Sequence, residues 1–483
     1  MKGIRIGICT MIAVCVLAFG GTGALGATIL EVGAAILFLL WGILAIRRDQ
    51  VEIHWKWLYL PLLGLGAIAL AQYVFGLSVY PYLTKIELLR WGAYVLLFFL
   101  MFESFRTEEH MKQFVWFLIN LGFAVSLFAI AQHFTSNGKL YWIVSLPAGA
   151  GPFGPFVDSD HFAGFVELTT PLGLALLFFR ARRPEQITLL LLFTIVPIGA
   201  LILTASRGGI ICFALELVLL AFLSRAHQIE KKQLLGTAGI TLVAGTFIVW
   251  LGVSNAIQRF EQLTHEGIAR ELRVSIYGYT LRIIHDHPWF GTGLGTLAAV
   301  YPRYASFYNG LTVDHAHNDF LELLANAGVI GGFCALLFIG LFFRESLRRF
   351  VTARTNSVRA ITAGSLVACS GLLMHGLVDF NLQIPSNALI FLLLSLIATA
   401  GQDPIPGRPI GWQHPNLRPR RSGKCGLAAT CVQIVRHIEQ FVIDVSRELL
   451  RKSRFCRCCA SELALVFGTH PLAVKRSDPR NAL

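Results

Sequence analysis

Long apolar runs alternate with short polar stretches along the chain as far as residue 400. A helix that crosses a bilayer needs about 20 mostly apolar residues. Twelve runs qualify, centred near Val14, Ile36, Leu65, Leu96, Phe123, Leu172, Phe193, Leu217, Ala244, Leu336, Leu366 and Phe391. The pattern predicts an all-α polytopic membrane protein with about 12 transmembrane helices. Residues 253–319, between the ninth and tenth spans, form the one polar stretch before residue 401 that is long enough for extra structure. Three regions follow: helices 1–5 over residues 1–150, helices 6–12 with that long loop over 151–400, and a tail over 401–483. The first apolar run resembles a signal peptide, but its small-residue region continues straight into the second span, so it is read as retained.

Composition agrees: with 55% hydrophobic and 14% charged residues, the chain is too apolar for an ordinary soluble domain. Charge sets the orientation, because short cytoplasmic loops collect lysine and arginine. With the amino terminus inside, the cytoplasmic side receives Arg47, Arg48, Arg180, Arg182, Arg183, Arg344, Arg348 and Arg349, while the opposite side is poorer in basic residues. Both termini are then cytoplasmic. The tail is strongly basic and should be drawn to an anionic membrane surface. In it, Ile434, Ile438, Phe441, Val445 and Leu449 recur at helical spacing, which suits a helix lying flat on lipid. Cys425, Cys431, Cys456, Cys458 and Cys459 fall on this reducing side, so a disulfide framework is not expected.

Ionisable groups are costly in hydrocarbon, so their placement is informative. They gather at the outer face. "GPFGPFVDSDHFAG" brings Asp158, Asp160 and His161 to the start of the sixth span, and "TASRGG" sets Arg207 in a tight turn between the seventh and eighth. In the long loop, Val274, Tyr277, Leu281 and Ile284 make an apolar stripe with Arg270 and Arg273 off it, predicting an amphipathic helix on the membrane surface that Pro288 ends. "GTGLG" (Gly291 to Gly295) lacks the preceding strand of a dinucleotide site and reads as a turn able to offer backbone amides to an anion. In "VDHAHNDFLELL", Asn318 or Asp319 can cap the tenth span, which puts His317 at its positive end as a neutral base. His375, Asp379 and Asn381 lie at the outer end of the eleventh. Such a face can hold an anion and deprotonate a neutral nucleophile.

The stretches "GPFVDSDHFAGFVELTTPLGLALL", "TASRGG", "RVSIYGYTLRIIHDHPWFGTGLG", "HAHNDFLELLANAGVIGG" and "DFNLQIPSNALIF" together resemble the O-antigen ligase superfamily over roughly Phe153 to Thr399. That superfamily includes polysaccharide polymerases and protein O-oligosaccharyltransferases. The resemblance implies a glycosyltransferase of the C type (GT-C) in the bacterial inner membrane, with a long periplasmic loop between helices 9 and 10. It implies a glycan donor on undecaprenyl diphosphate and an acceptor hydroxyl, on a glycan, lipid A core or protein, that attacks with inversion and without metal or cofactor. Arg207 and Arg273 would grip the diphosphate and His317 would act on the acceptor hydroxyl. Asp158, Asp160, His161, Asn318, Asp319, His375, Asp379 and Asn381 would line the substrate site. Membrane lipids are the expected surroundings, and nucleic acid is not an expected partner.

The residue types fit that chemistry on physical grounds. Guanidinium groups offer planar paired donors to the charge that grows on phosphate oxygens, and neutral imidazole can take a hydroxyl proton near neutral pH. One departure is the D-x-D at Asp158 and Asp160, where the family pattern has asparagine. In nucleotide-sugar transferases that motif holds a cation, but it follows a strand in an α/β domain that has no counterpart in this pattern. A zinc site from His315, His317, His375 and Asp379 is disfavoured because ligands at i and i+2 do not share a helix face. Within the enzyme class, ligase and repeat-unit polymerase differ only in acceptor. From another class, an anion or solute transporter, bicarbonate-like, would concentrate polar groups near the midplane. Glu167 and Glu216 sit inside spans, but no internal repeat accompanies them.

Overall fold

The computed structural model describes residues 1–47, 54–146, 151–180, 183–226, 266–306 and 313–400. The chain divides into two units, Met1–Gly411 and Trp412–Leu483, and all described residues fall in the first. The span expected near Ala244, and the basic tail with its cysteines, lie outside the described residues.

Among the described residues the regular structure is helical. The helices are α1 (Lys2–Leu17), α2 (Gly23–Ile46), α3 (Tyr59–Val74), α4 (Pro81–Ser104), α5 (Glu108–Thr135), α6 (Ser159–Phe179), α7 (Pro184–Thr204), α8 (Arg207–Ala226), α9 (Glu266–Asp286), α10 (Asp319–Thr352), α11 (Asn356–His375) and α12 (Pro385–Thr399). Of these α2, α5, α6, α7, α8, α10 and α11 are long and apolar enough to cross a membrane, and α3 and α12 are apolar but shorter. The chain is a polytopic helical membrane protein. Helix starts follow the local chemistry: Pro81, Pro184 and Pro385 occupy first turns, where a missing N–H costs nothing. Thr107, Asp158, Asn318 and Thr355 cap with their side chains.

α6 is buried from His161 to Phe179. A helix apolar on every side belongs in the middle of a bundle, and α5, α7, α8 and α11 pack around it. Its contact with α11 is close because Gly364 carries no side chain: a Cβ there would lie 2.9 Å from Leu172 Cα. Small residues let membrane helices approach in this way without a hydrophobic drive.

α10 is broken at Gly328, with φ 64° and ψ −169°. The freed positions are taken by the segment that returns from α9. Val329 N donates to Pro288 O at 2.8 Å, Thr292 N to Ala325 O at 2.9 Å and Gly293 N to Asn326 O at 3.1 Å. Gln72 of α3, fully buried, completes the seam: its amide donates to Phe290 O (2.6 Å) and Asn326 O (2.8 Å) and its oxygen accepts from Leu294 N (3.0 Å). Gly291 N also donates, to His287 O. The "GTGLG" turn therefore does not cradle an anion, because the amides of Gly291 to Leu294 are spent on holding the broken helix.

α9 is a helix as the pattern predicts, but the stripe is corrected. Ile276, Thr280 and Ile283 are buried, whereas Val274 is 63% and Leu281 53% exposed. The helix packs on α10 through a face that the apolar spacing did not reveal, and leaves Val274 and Leu281 outward, where a membrane surface could meet them.

Candidate active site

The ends of α6, α8, α10, α11 and α12, with α9, meet at one end of the bundle. Asp158 and Asp160 take different roles. Asp158 Oδ1 accepts from Asp160 N at 2.8 Å, closing the first turn of α6, and burial raises its carboxyl above the usual range against the opposing pull of His161. Asp160 turns outward, its Oδ2 lying 4.0 Å from Arg273 Nη2 of α9. One turn further along α9, Tyr277 Oη donates to His317 O at 2.8 Å. The helix that carries Arg273 is thus tied directly to the backbone of His317.

His317 precedes the cap of α10. Asn318 Oδ1 accepts from Phe320 N and Leu321 N, both at 3.0 Å, and its amide donates to Leu377 O at 2.7 Å. His317 itself has φ 50°, a left-handed conformation that costs a non-glycine residue about 1–2 kcal/mol. The cap of α10 and the tyrosine bond hold it there. Strain of this kind persists only where the surrounding structure over-determines the backbone.

His317 Nδ1 lies 3.4 Å from Asp379 Oδ1, at ion-pair distance and without the alignment of a full hydrogen bond. Asp379 is buried. Burial would raise its carboxyl, but contact with His317 and the nearby imidazoles of His161 and His375 outweigh it and hold the group below its ordinary value. On the other side of Asp379, His161 Nε2 is 3.9 Å from Oδ2, and Asn381 Nδ2 donates to Oδ2 at 3.4 Å. Asn387 of α12 fixes this pair by donating to His161 O (2.9 Å) and Asn381 Oδ1 (3.0 Å). Asp319 is buried in the first turn of α10, where its Oδ2 accepts from Leu382 N at 3.0 Å.

Phe380 is the hub of the cluster, marked in the sequence only by its position between Asp379 and Asn381. His161 meets the ring edge-on at 4.7 Å and His317 at 5.0 Å, while His315 stacks on it at 4.2 Å. His315 Nδ1 in turn lies 2.9 Å from Glu322 Oε1. Burial would lower the His315 imidazole, but the Glu322 carboxylate outweighs it and the group is raised. His315 and His317 thus serve separate carboxylates. Among the described residues no three His, Cys, Asp or Glu side chains come together in a way that could hold a metal ion.

Arg207 opens α8 two residues after Ala205, which has φ 56°, and Ser206 between them caps the turn by accepting from Gly209 N at 3.1 Å. The next residue is Gly208 for lack of room: a Cβ there would lie 2.9 Å from His375 Nε2. The arginine turn therefore rests on His375. That ring is held from behind by Glu167 of α6, with Nδ1 3.0 Å from Oε1. Glu167, an ionisable residue inside a span, thus pairs with a neighbouring helix. Glu216 is buried on α8 close against Gly371 of α11.

The fold and the cluster define a multi-pass membrane protein with arginines and a histidine–carboxylate pair gathered at one end of its helices. The family described as O-antigen ligase matches residues 189–336, the segment that carries Arg207, Arg273 and His317, which supports membership of the O-antigen ligase superfamily. Members of that superfamily are glycosyltransferase-type enzymes, ligases and polymerases. No curated protein matches the chain.

Proposed function

We propose that the protein transfers a glycan from undecaprenyl diphosphate to an acceptor hydroxyl at the outer face of the bacterial inner membrane. The observation that carries this reading is the His317–Asp379 pair at 3.4 Å, tied through Tyr277 to the helix that presents Arg273. His317 takes the proton of the acceptor hydroxyl. The hydroxyl oxygen forms its bond to the anomeric carbon with inversion, and the glycosyl–phosphate bond breaks with its electron pair passing to the diphosphate. Arg207 and Arg273 receive the charge that grows on the phosphate oxygens, where preorganised donors act most strongly. Asp379 holds the imidazole ring and favours the imidazolium that forms, as a buried carboxylate does beside a general base. With its side chain 34% exposed, His317 can return its proton to water.

Asp160 lies at the edge of ion-pair range from Arg273, close enough to align the guanidinium and loose enough for a diphosphate to displace it. The test is reconstitution of the purified chain in liposomes with undecaprenyl-diphosphate-linked glycan and separate candidate acceptors. Transfer is expected from the wild type, with no effect of a chelator, and none from Arg207→Ala, Arg273→Ala or His317→Ala in folded, inserted protein. A wild-type rate from His317→Ala would remove the proposed base. Ladders of repeat units would identify a polymerase and a single-step product a ligase.

A further inference from the structure

The first turn of α6 sets an acid against the arginine of α9. Asp158 Oδ1 accepts from Asp160 N at 2.8 Å, which fixes the backbone of that turn, and Asp160 Oδ2 lies 4.0 Å from Arg273 Nη2. Neither side chain is buried, the aspartate being 29% and the arginine 47% exposed. An ion pair this long and this open contributes little to stability. Its carboxylate matters for whatever anion Arg273 holds. A phosphate oxygen takes a hydrogen bond from a guanidinium at about 2.7–2.9 Å. With Oδ2 4.0 Å from the same nitrogen, an oxygen bound to Nη2 therefore lies within about 7 Å of the carboxylate. That is closer than the Debye length of about 8 Å at physiological salt, so the repulsion between them is not screened out.

Transfer changes the charge at this position. The proposed donor is a diphosphate esterified at both ends and carries two negative charges. When the glycosyl–phosphate bond breaks, its electron pair stays on the bridging oxygen, which becomes the third negative charge of the product, while the acceptor proton passes to His317. The last ionisation of a phosphate monoester falls near pH 6, so the third charge persists at neutral pH. Arginines alone would hold such a product more tightly than the donor, and it would block the next turnover. We propose that Asp160 is a charge filter: set against the arginine grip, its carboxylate repels the three-charge product more than the two-charge donor and speeds release of the lipid diphosphate. The inference rests on the transferase reading and deepens it by naming the residue that discriminates donor from product.

The test is equilibrium binding of two probes to the full chain in nanodiscs: farnesyl diphosphate and its terminal methyl ester. They share the prenyl chain and both phosphates and, above neutral pH, differ by one negative charge. Asp160→Asn keeps the shape of the side chain and removes its charge. Relative to the methyl ester, the variant should bind farnesyl diphosphate about tenfold better than the wild type does, the ratio that about 1.4 kcal/mol provides. Asp160→Glu keeps the charge and should restore the wild-type ratio. In 1 M salt, where the Debye length is about 3 Å, the difference between wild type and Asp160→Asn should vanish. A purely structural role for Asp160 would move both probes alike, so an equal gain or an equal loss for the two overturns the proposal, as does an unchanged ratio. If neither probe binds the wild type, the proposal and the transferase reading fall together. A charge-dependent ratio in a protein that transfers no glycan would sink the transferase reading and leave the filter. Glycan transfer with an unchanged ratio would do the reverse.

Discussion

Replacing Asp379 by asparagine keeps the shape of the side chain and removes its charge, so it isolates what the carboxylate does for His317. The two groups are 3.4 Å apart. At that distance an imidazolium and a carboxylate attract by roughly 5 kcal/mol at an effective dielectric of about 20 and by roughly 1 kcal/mol in bulk water. Asp379 is 3% exposed while the His317 side chain is 34% exposed, so the pair lies between these limits. If the attraction is exerted only once the imidazolium forms, each 1.36 kcal/mol is about a tenfold change in rate. Asp379→Asn should then lower kcat by about ten- to a thousandfold with little change in KM for the donor. The assay is single-turnover transfer in liposomes, with thermal unfolding monitored alongside. The carboxyl lies below its ordinary value in the folded protein, so its contribution to stability is present above the unfolded value of about 4 and is lost as pH falls through the folded value. Near neutral pH the wild type retains that contribution in full, and a modest loss of stability is expected from the variant. Folded Asp379→Asn protein that transfers within twofold of the wild-type rate would refute the assignment.

Arg273→Lys keeps the charge and loses the planar pair of donors, and a hydrogen bond to a charged group is worth about 1.5–3 kcal/mol. Transfer should fall on the order of tenfold to a hundredfold, and an unchanged kcat/KM would count against a diphosphate grip. Gln72→Leu should strand Phe290 O and Leu294 N, each at a cost of about 1–3 kcal/mol, and leave Asn326 O with Gly293 N as its donor. Faster hydrogen exchange over residues 288–295 is the readout. Gly328→Ala meets both a positive-φ backbone, costing about 1–2 kcal/mol, and a clash between the new Cβ and Trp289 O, so its Tm should drop. The His315 imidazole is raised by Glu322 in the folded protein. Its contribution is complete below the unfolded value of about 6.5 and is lost as pH rises through the folded value, so Glu322→Gln should flatten the dependence of Tm on pH across that window.

The sequence alone determined the helical class, because hydrophobic runs of bilayer length leave the backbone no other way to satisfy its hydrogen bonds in lipid. It placed the candidate residues for the same reason: charged groups are expensive in hydrocarbon, so Asp158, Arg207, His317 and Asp379 had to fall at helix ends. The cap by Asn318 and the turn at Arg207 were legible because they are local. Tertiary structure alone decided the pairings. Nothing in the spacing joined His317 to Asp379, His375 to Glu167 or Tyr277 to His317 O, since each pair comes from different elements whose approach is set by packing. The same holds for the "GTGLG" amides and for the buried face of α9. A backbone N–H takes whichever acceptor the fold brings near it, and a helix with apolar residues on two sides does not reveal which side meets protein until its neighbour is in place.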